Sequence, residues 1–291
     1  MFKLNNKIGL GLASLGRPGY INIGHHKDIG DDKSQSKMMH NCHQVLDYAY
    51  EKGIRYFDVA RVYGNAEEFL SSWIRKQSNF QGFVGSKWGY EYLANWDINA
   101  EKHERKDHSS SFLKHQWVET RMNLGKSIDL YHIHSVTPDS KVLEDPDVIK
   151  ELEIIKKGGV DIGISTSGPE QKKTIEEFIR INDKLKLFNF LQLTINIFDQ
   201  SCVSILKEAA NQKINVIAKE VFSNGRLTSA NDTFDIKEIQ SLKEISKDLD
   251  LSLEELAFLW VYQQPHIKIV LTGATTIAQI QENLKSLKKV K

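Results

Sequence analysis

Short apolar runs rich in β-branched residues alternate along this chain with longer segments whose apolar positions recur every three to four residues. Runs of the first kind suit strands buried on both faces, and segments of the second kind suit amphipathic helices. The pattern predicts eight strands: Ile8–Ala13, Ile54–Ala60, Phe83–Lys87, Leu130–His134, Asp161–Ser165, Leu191–Asn196, Asn215–Lys219 and Ile267–Thr272. Between them it predicts helices over Met38–Glu51, Ala66–Lys76, Val118–Leu124, Val148–Lys156, Thr174–Ile181, Val203–Asn211 and Ile236–Val261, with Ile277–Leu287 following the last strand. Repeated strand–helix units imply parallel strands, because parallel neighbours need a crossover. Eight such units, with no reversal and no change of composition, predict an α/β fold of the (β/α)8 TIM-barrel kind, one domain over residues 1–291. An open doubly wound sheet would carry a glycine-rich fingerprint after its first strand, and Gly9, Gly11 and Gly16 lack that spacing.

Composition narrows the partners more than the fold. With 40% hydrophobic and 26% charged residues, the chain reads as an ordinary globular protein able to bury a large core. Its 39 basic and 38 acidic residues leave a net charge of +1, so no overall field draws it to nucleic acid or to an anionic membrane. Lys156-Lys157 and Lys288-Lys289 fall on predicted helix ends and read as solvated surface. Two distant cysteines, Cys42 and Cys202, suggest no disulfide framework and fit a reducing compartment. The first apolar run is broken by glycines, and no later run could span a bilayer, so a cytoplasmic location is expected.

Barrel enzymes place their chemistry at the C-terminal ends of the strands. Asp58, Lys87, His134, Ser165, Asn196 and Gly273 all fall at such ends. Singly, each has a plain structural explanation: a strand-end cap, a rim residue, a core histidine. A lysine at the inner end of a barrel strand is harder to explain away, because it needs a partner to offset desolvation. The motifs Phe57-Asp58-Val59-Ala60-Arg61-Val62-Tyr63-Gly64, Gly85-Ser86-Lys87-Trp88 and Asp129-Leu130-Tyr131-His132-Ile133-His134 together resemble the catalytic tetrad of the aldo/keto reductases. The resemblance extends from Gly9 to Asn283.

This resemblance implies reduction of an aldehyde or ketone by a nicotinamide cofactor, the partner being a small-molecule carbonyl. Tyr63 would be the general acid. Lys87, held by Asp58, would lower its pKa from the ordinary value of ~10. His134 would orient the carbonyl. For the cofactor the resemblance implies Gly11, Ala13 and Asp58 at the near rim, with Ser165, Thr166 and Gln192 on the carboxamide. Thr166 stands where the family has asparagine. Lys219 stands where many members stack an aromatic ring, so Phe222 is the candidate to cover the nicotinamide, with Lys219 or Arg226 toward the pyrophosphate. Gly273, Ala274, Thr275, Gln279 and Asn283 match the adenosine segment, which runs into a helix N-terminus that favours phosphate. Family habit implies NADPH. NADH stays open, because Gly273 and Gln279 replace the cations that some members place on the 2′-phosphate.

Two long loops, Arg17–Ser36 and Trp88–Ser110, follow strand ends and are expected to roof the pocket and set specificity, since only a short lysine-rich tail follows Asn283. Tyr20, Trp88 and Arg105 are the substrate candidates beside Tyr63 and His134, and Arg17 and His103 could meet a polar or anionic group. Two rival functions remain. A metal-dependent hydrolase could use His132 and His134, two apart on one strand face, with Asp58 and the His25-His26 loop. It leaves Tyr63 and Lys87 without a role, and a bound metal is not expected. A non-catalytic nicotinamide-binding sensor is the other rival, and the complete tetrad argues against it.

Overall fold

The computed structural model describes residues 7–19, 28, 30–231 and 237–289. Its strands are β1 (Ile8–Gly11), β2 (Tyr56–Asp58), β3 (Phe83–Trp88), β4 (Tyr90–Tyr92), β5 (Glu104–Lys106), β6 (Leu130–Val136), β7 (Asp161–Thr166), β8 (Phe190–Thr194), β9 (Asn215–Lys219) and β10 (Ile267–Thr272). Eight of them run parallel and close into a barrel in the order β1-β10-β9-β8-β7-β6-β3-β2. These are the eight expected strands, with the first two shorter than the apolar pattern suggests. The run after β1 folds instead into a single helical turn, Ala13–Gly16.

Two apolar shells hold the barrel. Inside, Tyr56, Leu130, Phe190, Ile217, Ile269 and Leu271 pack together with Phe83. Outside, the alternate residues of the same strands, such as Phe57, Val84, Tyr131 and Ile164, join the larger core under the helices. The two-residue side-chain period of a strand makes this division. The floor of the barrel is tight: a Cβ on Gly85 would lie 2.5 Å from the Tyr56 hydroxyl.

The expected helix over 236–261 is two helices, Lys237–Asp248 and Leu253–Tyr262. Asp250 takes a left-handed φ of 54° between them, and Ser252 and Glu255 form a reciprocal capping box that starts the second. Apolar periodicity runs through the break, so only the cap signals it. A further departure is the antiparallel hairpin of β4 and β5, inserted after β3 at the barrel mouth. No helix among the described residues is long and apolar enough to cross a membrane.

Candidate active site

Asp58, Tyr63 and His134 converge on one cavity of about 340 Å³ at the C-terminal mouth of the barrel, with Lys87 buried beside them. Asp58 ends β2 and Lys87 lies near the end of β3, adjacent strands paired in register through Asp58 and Gly85. Lys87 Nζ donates to Asp58 Oδ1, to the Val59 carbonyl at 3.0 Å and to the Tyr63 hydroxyl at 3.4 Å. The second Asp58 oxygen accepts from Gln192 Nε2 at 2.8 Å and from the Tyr56 hydroxyl at 3.3 Å. The buried carboxylate therefore has a counter-charge and two further donors, which is what its desolvation requires.

The loop carrying Tyr63 is fixed from two sides. Gly16 lies against it so closely that a Cβ there would meet the Tyr63 carbonyl oxygen and lie 2.5 Å from Ala66 Cβ. Behind the loop, the buried Glu67 carboxylate accepts from Arg61 (2.9 Å), Ser86 (2.7 Å), Thr120 (2.9 Å) and Asn123 (2.9 Å). Ser86 precedes Lys87, so one network ties the tyrosine loop to the lysine strand.

Electrostatics depart from expectation at Tyr63. Burial holds its phenol well above the ordinary value; the Asp58, Glu104 and Glu220 carboxylates add to this and Arg17 opposes it. The Lys87 ammonium reaches the phenol oxygen but is shared with Asp58, and burial outweighs it, so the phenol stands above rather than below the ordinary value. His134 is driven the other way: burial, then the Lys87 and Lys219 charges, keep its imidazole well below 6.5 and hence neutral. Its ring meets Tyr63 edge-on at 5.6 Å and Tyr90 at 5.1 Å. The His134 carbonyl accepts from His108 Nε2 at 2.8 Å, and burial lowers the His108 pKa to about 4.

The other expected site residues divide. Gly11, Ala13, Gln192, Lys219, Phe222 and Gly273 line the same cavity. Lys219 donates to Thr194 Oγ1 (2.7 Å) and Glu220 Oε1 (2.5 Å). A second cavity of about 340 Å³ shares Phe222, Gly225, Thr272 and Gly273 with the first and continues to Ala274, Thr275, Gln279 and Asn283. Asn283 donates to Thr272 Oγ1 at 2.7 Å, tying the helix to β10.

Several candidates lie elsewhere. Trp88 is fully buried behind His108, outside the cavity, because it alternates with the inward Lys87. Arg105 pairs with Glu91 at 2.6 Å on the outer face of the hairpin; its neighbour Glu104 faces the cavity. Ser165 accepts the Ser135 N–H at 2.8 Å, and Thr166 turns out toward Gln171 at 3.4 Å, so Ser167, one residue on, reaches the cavity. Asn196 organises its own turn by accepting from Phe198 and Asp199. Arg226 covers the Phe198 ring at 4.8 Å and lines neither cavity. Tyr20, His25 and His26 lie outside the described residues. Among the described residues, no three His, Cys, Asp or Glu side chains gather in a metal-binding group.

Residues without a motif of their own stand on the wall. Arg17, expected as a polar contact, meets Glu104 across the mouth at 3.0 Å, and Tyr90, Ser135 and Glu220 complete the polar lining. Strand period marks Tyr56 as the inward neighbour of Asp58. The Arg17–Glu104 contact has no local signal.

The sequence profile of the aldo/keto reductase family matches residues 7–291. The uncharacterized oxidoreductase YqkF of Bacillus subtilis is 25% identical over 262 residues, covering 83% of this chain and 80% of its own. The fold is similar to that of an aldo-keto reductase from Bacillus halodurans, solved in its holo form, with a TM-score of 0.72, 21% identity, and 97% and 86% of the two chains covered. It is also similar to the Gluconobacter oxydans glycerol dehydrogenase, with a TM-score of 0.71, 20% identity and the same shares of 97% and 86%.

Proposed function

Because this chain belongs to the aldo/keto reductase family, an oxidoreductase family of (β/α)8 barrels, we propose that it reduces the carbonyl of a small, polar, sugar-like aldehyde or ketone with a reduced nicotinamide dinucleotide. The observation that carries this reading is the convergence of Asp58, Tyr63, Lys87 and His134 at a cavity that runs on into a second one at a helix N-terminus. Two joined cavities suit an elongated ligand with a reactive end and an anchoring end. Gln192, Ser167 and Phe222 would hold the reactive end, and Gly273, Ala274 and Asn283 the adenosine end. Bound there, the dihydronicotinamide supplies hydride to the carbonyl carbon.

The residues of the chain handle the proton. Tyr63, with its raised pKa, keeps its O–H at any working pH, so the proton is available for donation. It leaves only as negative charge builds on the carbonyl oxygen, which is general acid catalysis in its usual sense. Lys87 Nζ, 3.4 Å from the phenol oxygen, stabilises the phenolate left behind. Neutral His134 has one N–H to give the carbonyl oxygen, orienting it toward Tyr63. Asp58 and Lys87 are buried and Tyr63 and His134 half-buried, so these interactions are only weakly screened. The polar wall of Arg17, Glu104, Ser135 and Lys219 supports a hydroxylated substrate over an apolar one.

Tyr63→Phe tests the reading. Turnover of a reduced dinucleotide across a panel of aldehydes should fall by roughly 10²–10⁴-fold, while fluorescence titration still detects cofactor binding. Wild-type protein that binds neither NADH nor NADPH, or a phenylalanine variant as active as wild type, would overturn it.

A further inference from the structure

We propose that the second cavity selects NADH over NADPH, and that Asp28 is the residue that makes the choice. This rests on the reductase reading above. The helix Ile277–Ser286 opens at the far end of that cavity, and such a terminus ordinarily presents free N–H groups to phosphate. Here several of those donors are consumed internally. Gln279 Oε1 accepts from the Thr275 N–H at 2.8 Å and the Thr276 N–H at 3.3 Å, and the Gln279 N–H is taken by Thr276 Oγ1 at 3.3 Å.

The side chains that remain are also turned to an acceptor. Asp28 Oδ2 accepts from Gln279 Nε2 at 2.9 Å and from Thr275 Oγ1 at 3.2 Å. A carboxylate thus sits on the two side chains best placed to meet a 2′-phosphate. Among the described residues lining this cavity there is no Lys, Arg or His, and Glu254 and Glu282 add two more carboxyl groups. Their mutual proximity is felt: burial, then the Glu254 and Glu255 charges, push the Glu282 carboxyl up.

A 2′-phosphate carries about −1.5 to −2 charge at neutral pH and would enter this acidic wall with no counter-charge from its described residues. A ribose 2′-hydroxyl brings a donor instead, and a carboxylate acceptor is the general means of recognising it. The same geometry that repels one dinucleotide therefore binds the other. Neither Asp28 nor Gln279 stands near the reacting carbon, so the selection is made in binding.

Fluorescence titration of NADH and NADPH with wild-type protein and with Asp28→Asn and Gln279→Arg tests this. Wild type should bind NADH more tightly by about tenfold or more, the range in which like-charge juxtaposition acts. Asp28→Asn keeps the shape and removes the charge, so the NADPH-to-NADH ratio of dissociation constants should collapse toward unity. Gln279→Arg should move the ratio further in favour of NADPH. If both dinucleotides bind and wild type takes NADPH as tightly as NADH, the selection is refuted while the reductase reading stands. If NADH is preferred but Asp28→Asn leaves the ratio unchanged, Asp28 is not its source. If neither dinucleotide binds, the reductase reading fails and takes this one with it.

Discussion

Replacing Lys87 with methionine separates what holds the site together from what makes it react. The Lys87 side chain is fully buried and that of Asp58 is 4% exposed, so the pair is shielded from solvent screening. Removing one member of a buried pair costs about 3–5 kcal/mol, because the other charge stays buried without compensation. Asp58 keeps its bonds from Gln192 and Tyr56, which places the cost near the lower end, about 3 kcal/mol. For a chain of 291 residues the unfolding entropy is roughly 0.6 kcal/mol/K, so Tm should fall by about 5 °C. The double variant Asp58→Asn/Lys87→Met replaces both charges with neutral groups of similar size and should regain about half of that loss or more. Differential scanning fluorimetry of the four proteins completes a double-mutant cycle. Both Lys87 variants should lack turnover, so stability and activity part company in the double variant. If Lys87→Met melts with wild type, or if the double variant melts no higher than Lys87→Met, the contact is not a buried ion pair.

Four further outcomes follow from the same structure. Depressed His134 and raised Tyr63 place both ionisations outside the working range, so kcat/KM should be level from about pH 6 to 9; a bell centred near neutrality would contradict the assignments. His132, buried with its pKa lowered to about 3, binds fewer protons in the folded than in the unfolded chain. Its contribution to stability is full above the unfolded value and is lost as pH falls from about 6.5 toward 3, and His132→Gln should flatten that acid limb in urea titrations. Asp129 has the opposite sign: burial raises it to about 6, so the folded state loses stability as pH climbs from the carboxylate range through 6, and Asp129→Asn should remove that slope. Gly16→Ala forces a Cβ onto the Tyr63 loop and should cost about 1–3 kcal/mol together with much of kcat; an alanine variant with unchanged Tm and turnover would show that the loop is not held there.

The parts of this protein legible in its sequence are those governed by local period. Apolar runs and amphipathic segments mark every barrel strand and most helices, because a strand buried on both faces and a helix buried on one write different spacings. The residues at strand ends follow from the same pattern, since a parallel barrel brings its C-terminal ends to one rim. Spacing alone therefore puts Asp58, Lys87 and His134 on that rim. What the pattern leaves open is which neighbour faces inward once a strand ends or a hairpin intervenes. Lys87 against Trp88 and Glu104 against Arg105 are each a choice between adjacent residues, and a shift of one exchanges cavity for exterior.

Contacts between distant segments lie beyond the sequence altogether. Asp28 meets Thr275 and Gln279 across 247 and 251 residues, and Arg17 meets Glu104 across 87. No local pattern encodes such pairs; closure of the barrel brings its first and last loops together. Composition balances the charges overall, with a net of +1, yet the charged side chains on the wall of the second cavity are all carboxylates among the described residues. A sum over the chain does not say where charges gather. The barrel and the side chains at its rim are thus a matter of spacing along the chain, whereas the charge on the wall of the second cavity is decided by which distant side chains folding sets together.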